Sequence, residues 1–349
     1  MTTPYASEAF VLQLLGKALA AGASDVHLKV GQPPGARVRG DMVYFRVDKI
    51  AADDTQAVAR VLLGGASAGR LDQLQELVTG YEAEGLGRFR VSVYRERGAL
   101  ALVMRSIPLK IPTFAELGAP PAATVLAEQA RGLVIITGGA GQGKSATAAA
   151  MIGHLNDAYP KHLVTLEEPI EFRHEDNRGS VSQREIGVDT ASFAAGLRAA
   201  LRQDPDVILV SELRDADTLA AALDAAELGP LVIACVPAPD VAHALRRLSA
   251  LGRGLPDLTP RLAAALQGVL AQRLLPRRDG GGVALSSEVL VVTGAVREAL
   301  QDVAATAQAT AATLRELMEQ GASPYGMQTF EMSNKQLAAQ ALVSRALLA

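Results

Sequence analysis

Apolar residues recur at helical spacing over residues 7–21, where Phe10, Leu12, Leu14, Leu15 and Leu19 mark an amphipathic helix. Val26-His27-Leu28-Lys29-Val30 then alternates as a strand does. Gly31-Gln32-Pro33-Pro34-Gly35 is a turn, residues 36–38 resume extended chain, and residues 42–47 give another strand. A polar, alanine-rich helix is predicted over 52–63, with two further strands over 88–94 and 99–105. Together these make a small mixed α/β domain over residues 1–106. Ile107-Pro108-Leu109-Lys110-Ile111-Pro112-Thr113 reads as extended linker because of its prolines, and Gly118-Ala119-Pro120-Pro121 closes a linker of residues 107–121.

The pattern changes after residue 122. Short, uninterrupted apolar runs now alternate with helical segments. Strands are predicted over 133–137, 163–166, 206–210 and 231–236, with helices over 146–155, 191–202 and 218–228 between them. Strands without polar alternation are buried on both faces, so the pattern predicts a parallel sheet covered by helices. Further on, Arg277-Arg278-Asp279-Gly280-Gly281-Gly282 is a hairpin-like turn between Leu274-Leu275 and a strand over 287–292. Helices over 293–301 and on to Ala349 complete a second domain of residues 122–349. In such sheets ligands bind beyond the carboxyl ends of the strands.

Composition narrows the picture. A length of 349 residues fits two domains, and 49% hydrophobic residues supply their cores. There is no Trp and only 4% aromatic residues, so Ala and Leu carry the packing. A net charge of −3 gives no basic footprint for a nucleic-acid partner. A single cysteine, Cys235, excludes a disulfide framework and a four-thiolate zinc site, and points to a reducing compartment. No apolar stretch approaches 18 residues, and Met1-Thr2-Thr3-Pro4-Tyr5 lacks the order of a signal peptide.

The strand over 133–137 runs into Gly138-Gly139-Ala140-Gly141-Gln142-Gly143-Lys144-Ser145, which fits the P-loop pattern G-x-x-x-x-G-K-[ST]. Glycines let the backbone bend tightly and bring bare N–H groups against α- and β-phosphates at a helix N-terminus. Lys144 is placed to reach the β/γ-phosphates, and the Ser145 hydroxyl to meet Mg²⁺. Ala146 opens the helix beyond. Val207-Ile208-Leu209-Val210-Ser211-Glu212 reads as a Walker B strand, whose carboxylate holds Mg²⁺ or orients the attacking water. Glu167 and Glu168 end the strand over 163–166. Adjacent side chains leave a strand in different directions, so one of the two faces the phosphates, as a candidate general base.

Around these residues a wider resemblance emerges. Thr165-Leu166-Glu167-Glu168-Pro169-Ile170-Glu171-Phe172 is similar to the acidic box of the type II/IV secretion and pilus motor ATPases. Gln183-Arg184-Glu185, residues 197–206 and Glu212-Leu213-Arg214-Asp215 continue the pattern, as do Ser24-Asp25-Val26-His27-Leu28, Gly87-Arg88-Phe89-Arg90-Val91 and Gly326-Met327-Gln328-Thr329-Phe330. The chain most resembles the retraction ATPases of type IV pili, which lack the extra N-terminal domain and four-cysteine zinc motif of the assembly branch.

That resemblance implies a PAS-like N-terminal domain followed by a RecA-like ATPase domain, assembled as a homohexamer. It implies ATP and Mg²⁺ as ligands, with arginines closing over the phosphates. Arg88 and Arg90, on one strand face, Arg95 and Arg97 beyond them, and Arg214 are the candidates. The implied work is pilin removal during retraction and twitching motility. The implied place is the cytoplasm, peripheral to the inner membrane at the pilus base. The implied partners are an inner-membrane platform protein and a paralogous retraction ATPase. Ala295-Val296-Arg297-Glu298-Ala299-Leu300-Gln301-Asp302 partly matches a family helix tied to retraction, with Arg297 retained. One departure bears on mechanism. The family carries two histidines in the strand after Walker B, and those positions here are Pro230 and Pro237. Proline has neither N–H nor titratable group. Two readings follow: a working motor, and a weakly hydrolysing nucleotide-binding paralogue of one.

Overall fold

The structure, a computed structural model, describes residues 3–38, 40–64, 69, 71–301 and 307–348. Asp302 and Ala349, which the sequence reading included in helices, lie outside the described residues. The chain divides into two compact units. The first takes residues up to Lys110 together with Glu168–Phe172, and the second takes Ile111–Glu167 and Arg173 onward.

The first unit is a six-stranded antiparallel sheet in the order β3-β2-β1-β6-β5-β4, accompanied, among the described residues, by two α-helices. Its strands are β1 (Ala23–Leu28), β2 (Gly35–Val38), β3 (Asp41–Tyr44), β4 (Glu76–Ala83), β5 (Gly87–Glu96) and β6 (Ala99–Ile107). Helices α1 (Glu8–Ala20) and α2 (Ala52–Leu63) bury Val11, Leu15, Val58 and Leu62 in a core with Phe89, Val91, Val93, Leu102 and Met104. Strand β5 alternates as a half-buried strand must: Phe89, Val91 and Val93 point in, so Arg88 and Arg90 share the other face. Glu96 pairs with Ala99, leaving Arg97 and Gly98 as a two-residue turn with φ of 52° and 84°. Two left-handed residues in a hairpin turn match the twist of the flanking strands.

The second unit holds a seven-stranded sheet in the order β13-β12-β7-β11-β10-β8-β9. Strands β7 (Gly132–Thr137), β8 (His162–Glu167), β9 (Ser180–Glu185), β10 (Val207–Val210), β11 (Leu231–Val236) and β12 (Leu266–Pro276) run parallel. Strand β13 (Val283–Val291) closes the edge antiparallel to β12. Every residue of β7, β10 and β11 is buried. Alternate residues feed two cores: Leu133, Ile135, Val164, Ile208 and Val232 on one face, and Val134, Ile136, Leu163, Leu209 and Ile233 on the other. Helices α3 (Phe114–Leu117), α4 (Ala122–Ala127), α5 (Lys144–Ala158), α6 (Phe193–Ala200), α7 (Ala216–Leu228) and α8 (Val241–Leu251) account for much of the cover. This is the doubly covered parallel sheet the apolar runs predict. Strands β4 and β9, and most of β12, were not legible as strands, and α5 begins at Lys144 rather than Ala146. No helix among the described residues is long and apolar enough to cross a membrane.

Candidate nucleotide-binding site

Strands β7, β11, β10 and β8 are parallel neighbours, so their carboxyl ends form one edge. In register, Val210 lies beside Leu166 and Ala234, and Ala234 beside Ile135. Along that edge stand the loop after Thr137, then Pro237, then Ser211-Glu212, then Glu167. Fold topology thus gathers the P-loop and both candidate carboxylates from segments scattered over some seventy-five residues of sequence.

The P-loop residues fit a phosphate. Gly141 and Gly143 take φ of 71° and 83°, a backbone conformation that costs an L side chain about 1 kcal/mol or more. Gly139, Ala140, Gly141 and Ser145 are exposed, while Gly138 is buried. The loop ends directly on the N-terminus of α5, a helix of 15 residues, whose first N–H groups have no partner within the helix. The Lys144 ammonium curls over the loop and donates to the carbonyls of Gly138 and Gly139 at 3.0 and 2.8 Å. Gln142 is anchored: its Oε1 accepts from the N–H of Leu274 at 2.6 Å, and its carbonyl from Gln272 Nε2 at 2.7 Å.

Of the paired glutamates, Glu167 is the one held in the second unit. It is 8% exposed, and its Oε1 accepts from Thr165 Oγ1 at 2.6 Å and Gln183 Nε2 at 3.0 Å. Thr165 shares its face because the two stand two apart on β8. Glu168 is half-buried and falls with the first unit. Thr165 and Gln183 both lie in segments of the family pattern, but their tie to Glu167 was not readable there. It depends on β8 pairing with β9, which sets Gln183 beside Thr165. Glu212 follows the end of β10 and is half exposed, 3.8 Å from Arg214 Nη1. Two side chains so exposed gain little from such a pair. The Arg214 guanidinium also lies 5.5 Å from the centre of the Phe193 ring.

The remaining candidate arginines lie in the first unit. Arg88 donates from Nε to the Ile170 carbonyl at 2.7 Å, and Arg90 stands 3.4 Å from Glu171. Arg97 is exposed at its hairpin turn. Arg95 has a different job from the phosphate contact its sequence suggested. Its guanidinium donates to the carbonyls of Leu74, Gly98, Leu71 and Asp72 at 2.8–3.0 Å. A planar fork of N–H groups suits several converging carbonyls, and here it ties down the approach to β4.

The segment after β11 is held firmly. Thr137 Oγ1 donates to the carbonyls of Val236 and Ala238, Arg273 Nη2 to that of Pro239, and Val241 N–H donates to Glu288 Oε2. Burial pushes the Glu288 carboxyl above its ordinary range, against the pull of the Val241 N–H. Pro237, between the P-loop and Glu212 in strand order, therefore sits in a braced loop. Burial also pushes His174 down to about 4, which keeps its ring neutral.

A parallel sheet with a P-loop after an interior strand, and carboxylates at the same edge after two further strands, is the core of a P-loop ATPase. Comparison with known proteins gives the particular kind. The chain belongs to the type II/IV secretion system protein family, which it matches over residues 6–322. It is 35% identical over 337 residues to the type IV pilus retraction ATPase PilT of Pseudomonas aeruginosa, covering 96% of each chain. It is 34% identical over 322 residues to the type IV pilus ATPase PilU of the same organism, covering 90% of this chain and 81% of that one. A crystal structure of the pilus retraction motor PilT with bound ADP superposes with a TM-score of 0.82 at 34% identity, over 96% of this chain and 95% of the other.

Proposed function

We propose that this protein is an ATP-hydrolysing motor that powers type IV pilus retraction. The observation that carries the reading is the row of P-loop, Glu212 and Glu167 along one strand edge, in a chain similar to PilT from end to end. In this reading the backbone N–H groups of Gly141 to Ser145 bind the β-phosphate and Lys144 leaves its two carbonyls for the phosphates. Ser145 and Glu212 would hold Mg²⁺, which would supply positive charge against the phosphate oxygens. Glu167, fixed by Thr165 and Gln183, orients the attacking water and takes its proton. The motor is a homohexameric ring in the cytoplasm, set against an inner-membrane platform protein at the pilus base.

One observation favours a second reading, a nucleotide-binding and weakly hydrolysing subunit that works beside a paralogous retraction ATPase. Pro230 and Pro237 replace the histidines the family resemblance implies, and neither can donate to a phosphate. Steady-state hydrolysis with Mg²⁺, measured beside Lys144→Ala and Glu212→Gln, separates the two. Turnover lost in both variants supports the motor. Turnover no higher than in the variants, with ATP binding lost only in Lys144→Ala, overturns the motor and leaves the accessory subunit.

A further inference from the structure

We propose that Gln272 is a positioning residue for the P-loop, which aims the Gly143 N–H at the phosphate; the inference rests on the nucleotide reading above. Ala271 pairs with Thr137, the last residue of β7, so Gln272 falls beside Gly138 where the loop begins. Its side chain is 1% exposed and its Nε2 donates to the Gln142 carbonyl at 2.7 Å. Its Oε1 is buried with no hydrogen-bond partner. A buried acceptor left unpaired is uncommon and calls for a reason. Turning the amide over would set Oε1 against the Gln142 carbonyl oxygen, so the orphan follows from keeping the donor on the loop.

The geometry gives that donor its purpose. Gln142 lies between Gly141 and Gly143, both left-handed, so the peptide linking Gln142 to Gly143 has few steric limits on its orientation. A trans peptide is planar, with its C=O and the following N–H pointing in opposite directions. Holding the Gln142 carbonyl against β12 therefore turns the Gly143 N–H away from the strand, out to the open side of the loop. Gln142 adds a second tie, its Oε1 accepting from Leu274 N–H. The loop is seated closely as well. A Cβ on Gly138 would lie 2.8 Å from the Gln272 carbonyl oxygen, and one on Gly143 would lie 3.2 Å from Gln272 Nε2.

The test is ADP affinity by calorimetry on the full chain, beside thermal unfolding of the same preparations, with Lys144→Ala as the non-binding control. Gln272→Met keeps the length, deletes the donor and deletes the orphan acceptor. It is expected to weaken ADP binding about tenfold while the unfolding midpoint holds or rises, the fold-change of one well-placed hydrogen bond. Gln142→Met removes only the Leu274 tie and is expected to weaken binding about threefold, a fraction of that bond. Gln272→Met with wild-type ADP affinity would overturn the assignment. So would affinity and midpoint falling together in Gln272→Met, which marks a merely structural residue. A wild-type chain that bound no ADP would instead sink the nucleotide reading, and this proposal with it.

Discussion

The sharpest prediction concerns Thr165, because it separates holding Glu167 from being Glu167. Thr165 is fully buried, and its hydroxyl donates to the Glu167 carboxylate at 2.6 Å. Valine has nearly the same shape, so Thr165→Val deletes that bond while filling the space. A hydrogen bond to a charged group contributes about 1.5–3 kcal/mol. The Gln183 bond to the same oxygen remains. With a shift of about 2–4 °C per kcal/mol for a domain of this size, the unfolding midpoint should fall by roughly 3–12 °C. Turnover should fall with it, because Glu167 gains freedom, whereas the KM for ATP should not move. Glu167→Gln is the counterpart. Its amide oxygen still accepts from Thr165 and Gln183, so the midpoint should stay within about 3 °C, a change of order 1 kcal/mol. In the reading proposed above this variant lacks the base, and turnover should fall about 10²–10⁴-fold. Calorimetry and a phosphate-release assay on the two variants read all four quantities. A wild-type midpoint in Thr165→Val would refute the energetic argument. A wild-type rate in Glu167→Gln would refute the catalytic one.

Three further outcomes are expected. Gly268→Ala would set a Cβ 2.7 Å from the Leu290 carbonyl and 2.4 Å from Leu126 Cδ2, so chemical denaturation should show a loss of about 1–3 kcal/mol. Arg95→Lys loses the fork that serves four carbonyls; it should destabilise the first unit by about 1–3 kcal/mol and leave ADP affinity unchanged by calorimetry. His174 titrates near 4 when folded and near 6.5 when unfolded, so the unfolded chain binds the proton first as pH falls. Its stabilising contribution is complete above pH 6.5 and declines towards pH 4; denaturation midpoints of wild type and His174→Gln should diverge across that window and run parallel above it.

Legibility in the sequence followed burial. Strands β7, β8, β10 and β11 announced themselves because both faces are covered and the runs are continuously apolar. Strand β9, Ser-Val-Ser-Gln-Arg-Glu, sits at the sheet edge with little apolar surface, so nothing but its pairing with β8 makes it a strand. Strand β4 is the edge of the other sheet, with Glu76, Gly80 and Glu82 breaking its pattern. The P-loop, Glu212 and the paired glutamates stood out as candidates because each is a local pattern in the chain. Gln272 was not: it acts on a residue 130 positions earlier, and only the pairing of β12 with β7 brings the two together. Arg95 misled for the converse reason, since an arginine near a strand end looks the same whether it faces an anion or a set of carbonyls.

The strand order also governs how this chain can be made. Strand β7 lies between β11 and β12, and Thr137 hydrogen-bonds to Val236, 99 residues further on. A ribosome adding about 5–20 residues per second therefore leaves the all-apolar Leu133-Val134-Ile135-Ile136 run without either neighbour for roughly 5–20 s. During that wait the emerging chain exposes a six-residue strand that is apolar on both sides, a natural client for a chaperone. For the same reason a fragment that ends before β11 carries an intact P-loop sequence after a strand that has neither of its pairing partners.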